Sequence, residues 1–293
     1  MTSTMPLKEA KQAFRKAPVS HSWQRTPPRV IAVTSGKGGV GKSNIVANLG
    51  VAMSQSGYRV MLIDADLGLA NLDILLGLTP QHTIKDFFSL RQSLSQVIMQ
   101  GPAGLKVLPA YSGLPELTEL GDSQKVFLLN ELDYYSENLD VVLIDTGAGI
   151  SRNVLFFNVA AQERILVANN QPTSLADVYA LMKVLVMQHK QTRFKLVVNG
   201  IRQPHEGEAV YRTLVRVAER FLGQEIFLEY LGFIPFDVTV SEAVMRQQPV
   251  ISLYPAAPAS KSFARIARQL LESPAPSGVD GNIKFFWRQL LGC

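Results

Sequence analysis

Short apolar runs alternate with longer stretches of helical spacing along most of the chain, from residue 30 onward. Uninterrupted apolar runs are typical of strands buried on both faces, and they occur at residues 30–35, 59–64, 105–109, 140–145, 164–169, 194–199 and 231–235. Apolar residues have helical spacing in the longer stretches, at residues 42–56, 122–137, 173–190, 206–222 and 258–271. This alternation predicts an α/β fold of three layers, in which helices cover both faces of a mostly parallel central sheet.

The periodic pattern is confined to residues 30–272, and the regions on either side differ from it in composition. Residues 1–29 predict a basic N-terminal extension, in which a short amphipathic helix precedes a linker with a Pro-Pro pair. Residues 273–281 are rich in Pro, Gly and Ser, which is typical of a flexible linker. The sequence therefore predicts one large domain with an appended segment at each end.

Residues 282–293 predict a short amphipathic helix of a different character. Asn282 suits the start of this helix, and its apolar face consists of Ile283, Phe286, Trp287, Leu290 and Leu291. An aromatic-rich apolar face with basic flanks and a flexible tether is typical of a helix that lies at a membrane surface. The alternative is a helix that docks on the core of its own domain.

The net charge is concentrated in the N-terminal extension. The sequence has 29 basic and 24 acidic residues, of which residues 1–29 hold six and one. The rest of the chain therefore carries 23 of each sign. A neutral domain disfavours direct binding to nucleic acid, which requires several cations on one face.

The single cysteine and the length of the apolar runs exclude several classes of protein. Cys293 is the one cysteine, so a disulfide framework and a multi-cysteine metal or iron–sulfur site are excluded, and a reducing compartment is expected. No apolar run reaches the length of about 18 residues that suggests a membrane-spanning helix. No secretory signal is predicted at the N-terminus.

Residues 35–44, SGKGGVGKSN, form a glycine-rich loop between the first predicted strand and the first predicted helix. This context and the pattern G-x-x-x-x-G-K-[ST] predict a nucleotide-binding loop, in which Lys42 reaches the β- and γ-phosphates and Ser43 binds Mg²⁺. A second lysine, Lys37, is not required by that pattern. The predicted phosphate-binding residues are Gly36, Lys37, Gly38, Gly39, Val40, Gly41, Lys42, Ser43 and Asn44.

Carboxylates follow two other predicted strands. Asp64 and Asp66 end the second of these strands, and Asp145 ends the fourth. Because ligands bind beyond the carboxyl ends of parallel strands, all three are expected close to the glycine loop. Asp64 and Asp66 share one face of extended backbone, where one would serve the metal and the other would position water. The residues alone leave open which does which.

Three motifs together resemble one family. KGGVGKS, DADLGLANLDILLGL and DTGAGI are similar to the deviant Walker A ATPases of the MinD/ParA group, and in particular to the MinD-like flagellar number regulators called FlhG or FleN. The resemblance covers residues 30 to about 272. Asn44, and Gly147 with Ala148, favour the flagellar branch over MinD proper.

The resemblance implies a slow, Mg²⁺-dependent ATP hydrolysis that is coupled to dimerisation. It implies that Lys37 reaches across a homodimer interface to the phosphates of the other subunit, and that Asp66 orients the attacking water. It also implies that Asp64 and Asp145 lie in the outer Mg²⁺ shell. The candidate metal residues are Ser43, Asp64, Asp66 and Asp145. Asn199, Pro235 and Asp237 match positions that contact adenine in the family. The predicted catalytic residues are Lys37, Lys42 and Asp66.

The resemblance also implies partners and a location. An ATP-bound homodimer is expected to bind the inner face of the cytoplasmic membrane reversibly through the C-terminal helix, with a cell pole as one location. Flagellar partners are expected: an FlhF-type GTPase, basal-body or C-ring components, or a flagellar transcription regulator. In residues 9–15, Ala10 and Lys11 replace the Gln-Ala pair of the family's FlhF-binding segment. A basic helix that touches lipid or an acidic partner is therefore an equal alternative there.

Two other functions remain as alternatives at this point. A MinD-type ATPase for division-site placement has the same fold and motifs. A ParA-like partition ATPase that binds DNA belongs to the same group, although the neutral charge of residues 30–293 disfavours it.

Overall fold

The computed structural model describes residues 28–66, 71–110, 121–136 and 138–274. In these residues eight strands form a single sheet, in the order β3-β4-β2-β5-β1-β6-β7-β8. The strands are β1 (Arg29–Ser35), β2 (Val60–Ala65), β3 (Met99–Gln100), β4 (Lys106–Leu108), β5 (Val141–Ala148), β6 (Glu163–Ala168), β7 (Arg193–Ile201) and β8 (Phe227–Pro235). Every pairing is parallel except that of β3 with β4.

Helices cover both faces of this sheet. They are α1 (Lys42–Gln55), α2 (Leu72–Leu75), α3 (Ile84–Phe88), α4 (Leu94–Val97), α5 (Asp122–Ser136), α6 (Arg152–Ala160), α7 (Pro172–His189), α8 (Pro204–Leu222), α9 (Val238–Met245), α10 (Val250–Leu253) and α11 (Pro258–Glu272). A short 3₁₀ helix spans Pro102–Gly104. The predicted α/β fold with a covered, mostly parallel sheet is confirmed.

The strands are apolar throughout because both of their faces are buried. On β1, Ile31 and Val33 belong to the core cluster that contains α1 and α11, whereas Val30 and Ala32 belong to the cluster on the opposite face. Successive side chains on a strand point to opposite faces, so a strand between two helical layers needs apolar residues at every position. The runs that the sequence analysis identified are therefore strands of this buried sheet.

Most predicted bounds agree with the structure within a few residues, and the differences are local. The antiparallel edge strand β3 was not predicted, because two residues are too few to produce a pattern. Helix α6 was missed as well, and so were the short helices α2, α3, α4, α9 and α10. The run predicted at residues 231–235 is the end of a strand that begins at Phe227, where exposed and buried residues alternate less regularly.

The sheet order brings the candidate residues together. β5 lies between β1 and β2, and the register places Asp145 beside both Val33 and Asp64. The glycine loop begins where β1 ends, so it starts beside the carboxyl ends of β5 and β2. Both aspartate-bearing strand ends therefore meet the loop at one edge of the sheet, as the sequence analysis predicted.

Arg29 connects the start of β1 to the end of α11, at the amino ends of the strands. Its guanidinium pairs with Glu163 at the start of β6 and donates to the carbonyl oxygens of Leu270 and Ser273 at the end of α11. The Arg29 Nη1 to Ser273 O distance is 2.9 Å. The chain therefore enters β1 and leaves α11 at neighbouring points, at the amino ends of the strands.

Several predictions concern residues outside the described ranges. Outside them lie the N-terminal helix, its linker up to residue 27, the linker at 273–281 beyond residue 274, and the apolar face formed by Ile283, Phe286, Trp287, Leu290 and Leu291. These stay predictions. The predicted end of the N-terminal extension at residue 29 differs by one residue from the structure, in which β1 starts at Arg29. Among the helices that the structure describes, none has the length and apolarity needed to cross a membrane.

Candidate functional site

The glycine loop has the geometry of an anion-binding turn. Gly41 adopts a left-handed conformation, with φ 88° and ψ 20°, and helix α1 starts at the next residue. Gly41 has no side chain to cap the helix, so the first-turn N–H groups of α1 face the loop without a side-chain acceptor from this position. Uncapped N–H groups at a helix N-terminus attract phosphate, and this loop therefore fits a nucleotide phosphate chain.

Gly36 marks a close contact between the loop and helix α7. A Cβ atom built on Gly36 would lie 2.1 Å from the backbone carbon of Asp177 and 2.5 Å from the backbone nitrogen of Val178. Gly38 has nothing within 4 Å of such an atom. Gly36 is therefore needed for packing inside the protein, whereas the surroundings of Gly38 are open.

Lys42 forms a buried ion pair with Asp145. Lys42 Nζ donates to Asp145 Oδ1 over 2.5 Å, and the two residues are 7% and 1% exposed. Burial raises the pKa of Asp145, while Lys42 and a hydrogen bond from the Ser43 side chain oppose that increase. The predicted phosphate lysine, the predicted Mg²⁺ serine and a predicted Mg²⁺-shell carboxylate are thus in direct contact.

Asp64 fastens the chain that follows β2. Its carboxylate accepts backbone hydrogen bonds from Asp66 at 3.1 Å, Asn71 at 3.1 Å and Leu72 at 3.2 Å. Burial, followed by repulsion from Asp145, raises the pKa of Asp64 to about 7, although these three bonds oppose the shift. A cation beside the two carboxylates would favour their ionised forms. Asp64 therefore has a structural role that the motif did not reveal.

Asp66 lies beside this cluster. It is only partly buried, and its Oδ1 would be 3.6 Å from a Cβ atom built on Gly147. The loop of Gly147 is also joined to the glycine loop, since the Gly149 N–H donates to the Ser35 carbonyl over 2.9 Å. The partly buried Asp66 carboxylate thus lies at the same edge of the sheet as Lys42, where a group that positions water is needed.

The predicted adenine residues also support the architecture of the site. Asn199 Nδ2 donates to the carbonyl of Val40 over 2.8 Å, and Gly41 leaves the space for this amide, because a Cβ there would be 2.2 Å from it. Asp237 caps two helices: it accepts from Thr239 N at the start of α9 and from Ala259 N in the first turn of α11. Pro235 ends β8. Their contact with adenine stays a prediction.

Lys37 and Lys42 have different hydrogen-bond partners within the subunit. Its Nζ donates to Gln171 Oε1 over 2.6 Å and to Thr173 Oγ1 over 3.0 Å, at the start of α7. Because Lys37 is partly exposed, its ammonium group lies at the surface of the site, whereas that of Lys42 is inside it. The two lysines of the loop therefore occupy different environments.

Asn48 is a buried polar residue that the sequence analysis missed. Its amide donates to Asn44 Oδ1 over 2.7 Å and to Asn44 O over 2.9 Å, and its Oδ1 accepts from the N–H of Ile251 over 3.1 Å. Asn48 thereby links the start of α1 to α10. The signal available in the sequence was a polar residue in the middle of an otherwise apolar helix.

The residues present fit a Mg²⁺-nucleotide. Among the described residues, no three His, Cys, Asp or Glu side chains are grouped as a metal site of their own. Mg²⁺ in phosphate sites keeps several waters and uses one or two protein ligands together with the phosphates. A hydroxyl from Ser43 with Asp64, Asp66 and Asp145 nearby is compatible with that chemistry. Their roles toward Mg²⁺ stay predictions.

Comparison with known proteins gives consistent matches. The family described as "CobQ/CobB/MinD/ParA nucleotide binding domain" matches residues 31–250. The antiactivator FleN of Pseudomonas aeruginosa is 43% identical over 265 residues, which cover 90% of this chain and 94% of FleN. The flagellum site-determining protein YlxH of Helicobacter pylori is 32% identical, over 94% of each chain. The MinC:MinD cell division complex of Aquifex aeolicus contains a chain with 30% identity and a TM-score of 0.68, over 85% of this chain and 98% of that one.

Proposed function

The chain belongs to the CobQ/CobB/MinD/ParA family of nucleotide-binding proteins, and from this premise we propose that it is an ATP-hydrolysing, dimerising switch that regulates the number or placement of flagella. The cofactors of this switch are ATP and Mg²⁺. Dimerisation, membrane association and a slow rate of hydrolysis belong to the proposal.

The observation that carries the proposal is the separation of the two lysines in one glycine loop. Lys42 is buried on Asp145, where it can serve the phosphates of its own subunit. Lys37 lies at the surface of the same edge. A surface cation beside a phosphate site can reach a nucleotide in a second copy of the chain, as an arginine finger does. ADP lacks the γ-phosphate, so hydrolysis would release the dimer.

Each residue of the site has a distinct part in the proposed hydrolysis. Lys42 and the first-turn N–H groups of α1 hold the phosphate oxygens, and Lys37 of the second subunit stabilises the charge on the transferred group. Asp66 orients the water that attacks the γ-phosphorus, so that the bond to the ADP oxygen breaks and phosphate leaves. Ser43, with Asp64 and Asp145 close to it, would hold Mg²⁺, and the ion would supply positive charge to the phosphate oxygens.

The flagellar role rests on the names of the two curated relatives and on the motif details of the sequence. FleN is called an antiactivator and YlxH a flagellum site-determining protein. We therefore propose a flagellar partner for this chain: a transcription regulator, a basal-body or C-ring protein, or an FlhF-type GTPase. MinD-type division placement is the competing role, since the Aquifex chain forms a complex with MinC.

Cells that carry Lys37→Ala are expected to have an altered number or position of flagella and a normal site of division. The reason is that a switch unable to engage its second subunit cannot change state with ATP. Electron microscopy gives the count of flagella, and the length distribution of the cells reports division. Minicells or filaments together with normal flagella would support the division role instead.

Full-length protein with ATP is expected to sediment with vesicles of anionic phospholipid, whereas protein with ADP stays in solution. Two C-terminal helices held together by a dimer gain effective concentration at the lipid surface without any new contact. A chain that ends at Gly281 lacks the helix and is the matched control. Equal sedimentation of the two chains would contradict the membrane part of the proposal.

A further inference from the structure

Lys37, the residue on which the proposed dimer depends, is already bound within its own subunit. We propose that Gln171 and Thr173 form a cis latch, defined as these two side chains, that holds Lys37 and competes with its transfer to the phosphates of a second copy of the chain. The inference rests on the proposed dimeric switch. It adds an energetic cost to dimerisation, because the hydrogen bonds that hold Lys37 must be broken before the lysine can reach the second subunit.

The loop is held against the helix that carries the latch. Gly36 packs directly on the backbone of Asp177 in α7, and the Ser35 hydroxyl donates to the Lys37 carbonyl over 2.9 Å. The backbone of Lys37 is therefore fixed close to the start of α7, where Thr173 lies in the first turn. The lysine reaches the latch without rearrangement of the loop.

The latch positions its acceptors for an ammonium group. Gln171 precedes Pro172, and its backbone N–H donates to Asn169 Oδ1 over 3.2 Å, which fixes the chain before the helix. No hydrogen bond links the Gln171 side chain to the end of its own helix, so its amide oxygen is available to Lys37. An ammonium group has three N–H donors, and the latch uses two of them.

The competition follows from the strength of the two sets of acceptors. An amide oxygen and a hydroxyl near the surface are neutral, and hydrogen bonds to charged phosphate oxygens are stronger. Lys37 is therefore held by the latch while no triphosphate is presented by a second subunit, and it moves when one is. The latch lowers the affinity of the dimer because its bonds must be lost on assembly.

Removal of the latch is expected to strengthen the dimer. The double variant Gln171→Ala/Thr173→Val should lower the dimer dissociation constant with AMPPNP and Mg²⁺ by about fivefold, as expected for the loss of two modest hydrogen bonds in the free form. Analytical ultracentrifugation measures this constant. The protein concentration at half-maximal ATPase rate should fall by a similar factor, while the plateau rate and the affinity for ADP stay unchanged.

Two further variants test whether the change in dimer affinity depends on Lys37. In a Lys37→Ala background the same double variant should have no effect on the dimer, since there is no lysine to release. Gln203→Ala is the matched control, because Gln203 also precedes a proline at the start of a helix but is not one of the two residues that accept from Lys37. An unchanged or weaker dimer in the double variant, or an equal effect in the Lys37→Ala background, would overturn the latch.

Failure of the latch and failure of the proposed function give different results. If wild-type protein does not dimerise with AMPPNP, or if Lys37→Ala dimerises and hydrolyses ATP like the wild type, the dimeric switch is wrong and the latch falls with it. If the wild type dimerises, Lys37→Ala does not, and the double variant equals the wild type, the switch stands and only the latch is wrong.

Discussion

Replacement of Asp66 by alanine is expected to lower the rate of ATP hydrolysis by at least about 100-fold, which is the usual contribution of a general base or water-positioning group. Dimerisation with ATP is expected to persist, because Asp66 acts on the water and not on the phosphates. The position of the partly buried Asp66 carboxylate beside Gly147 is the structural basis. Phosphate release in single-turnover assays gives the rate, and light scattering gives the oligomeric state.

Asp73→Ala is the control for this prediction. Asp73 lies on the same segment after β2, and its side chain accepts from the N–H of Ile74 within its own short helix. Its removal is expected to leave hydrolysis close to the wild-type rate. Hydrolysis at the wild-type rate by Asp66→Ala would show that another group positions the water.

Replacement of Gly36 by alanine is expected to cost about 3 kcal/mol of the free energy of unfolding, at the upper end of what overpacking usually causes. The added methyl group would meet the backbone of Asp177, which cannot move aside as a flexible side chain can. The loop would have to leave α7, so nucleotide binding is expected to be lost as well. Chemical denaturation measures the stability, and calorimetry with ADP measures binding.

Gly38→Ala separates a steric effect from a general intolerance of alanine in this loop. A Cβ at Gly38 meets nothing within 4 Å in the protein, so the stability of this variant is expected to match the wild type. Stabilities that fall equally in the two variants would contradict the packing argument. Wild-type stability of Gly36→Ala would show that the contact with α7 relaxes easily.

The fold was largely predictable because the sheet is buried on both faces. Apolar runs such as that of β1 could not be exposed strands, and the helices between them have bounds close to those predicted. The resemblance to the MinD/ParA group is confirmed by the family match and by the relatives. The contact of Lys42 with Asp145 follows from the same logic, since the register of parallel strands places their ends together.

Other features depend on tertiary contacts that have no local pattern. Asp64 was predicted as a metal-shell residue, and its hydrogen bonds from the backbone of Asp66, Asn71 and Leu72 became visible only in the structure. The bridge from Asn48 to Ile251 joins residues 203 positions apart. The side-chain direction of Lys37 is set by Gln171 and Thr173, far along the chain, and no glycine-loop motif specifies it.

The fastening of both described chain ends by Arg29 has a consequence for the appended segments. Because the chain enters β1 beside the place where it leaves α11, residues 1–27 and 275–293 are attached to the domain at neighbouring points. A ligand that binds one of these segments is therefore present at a high effective concentration for the other segment. Both segments are attached at the amino ends of the strands, whereas the glycine loop lies at the carboxyl ends.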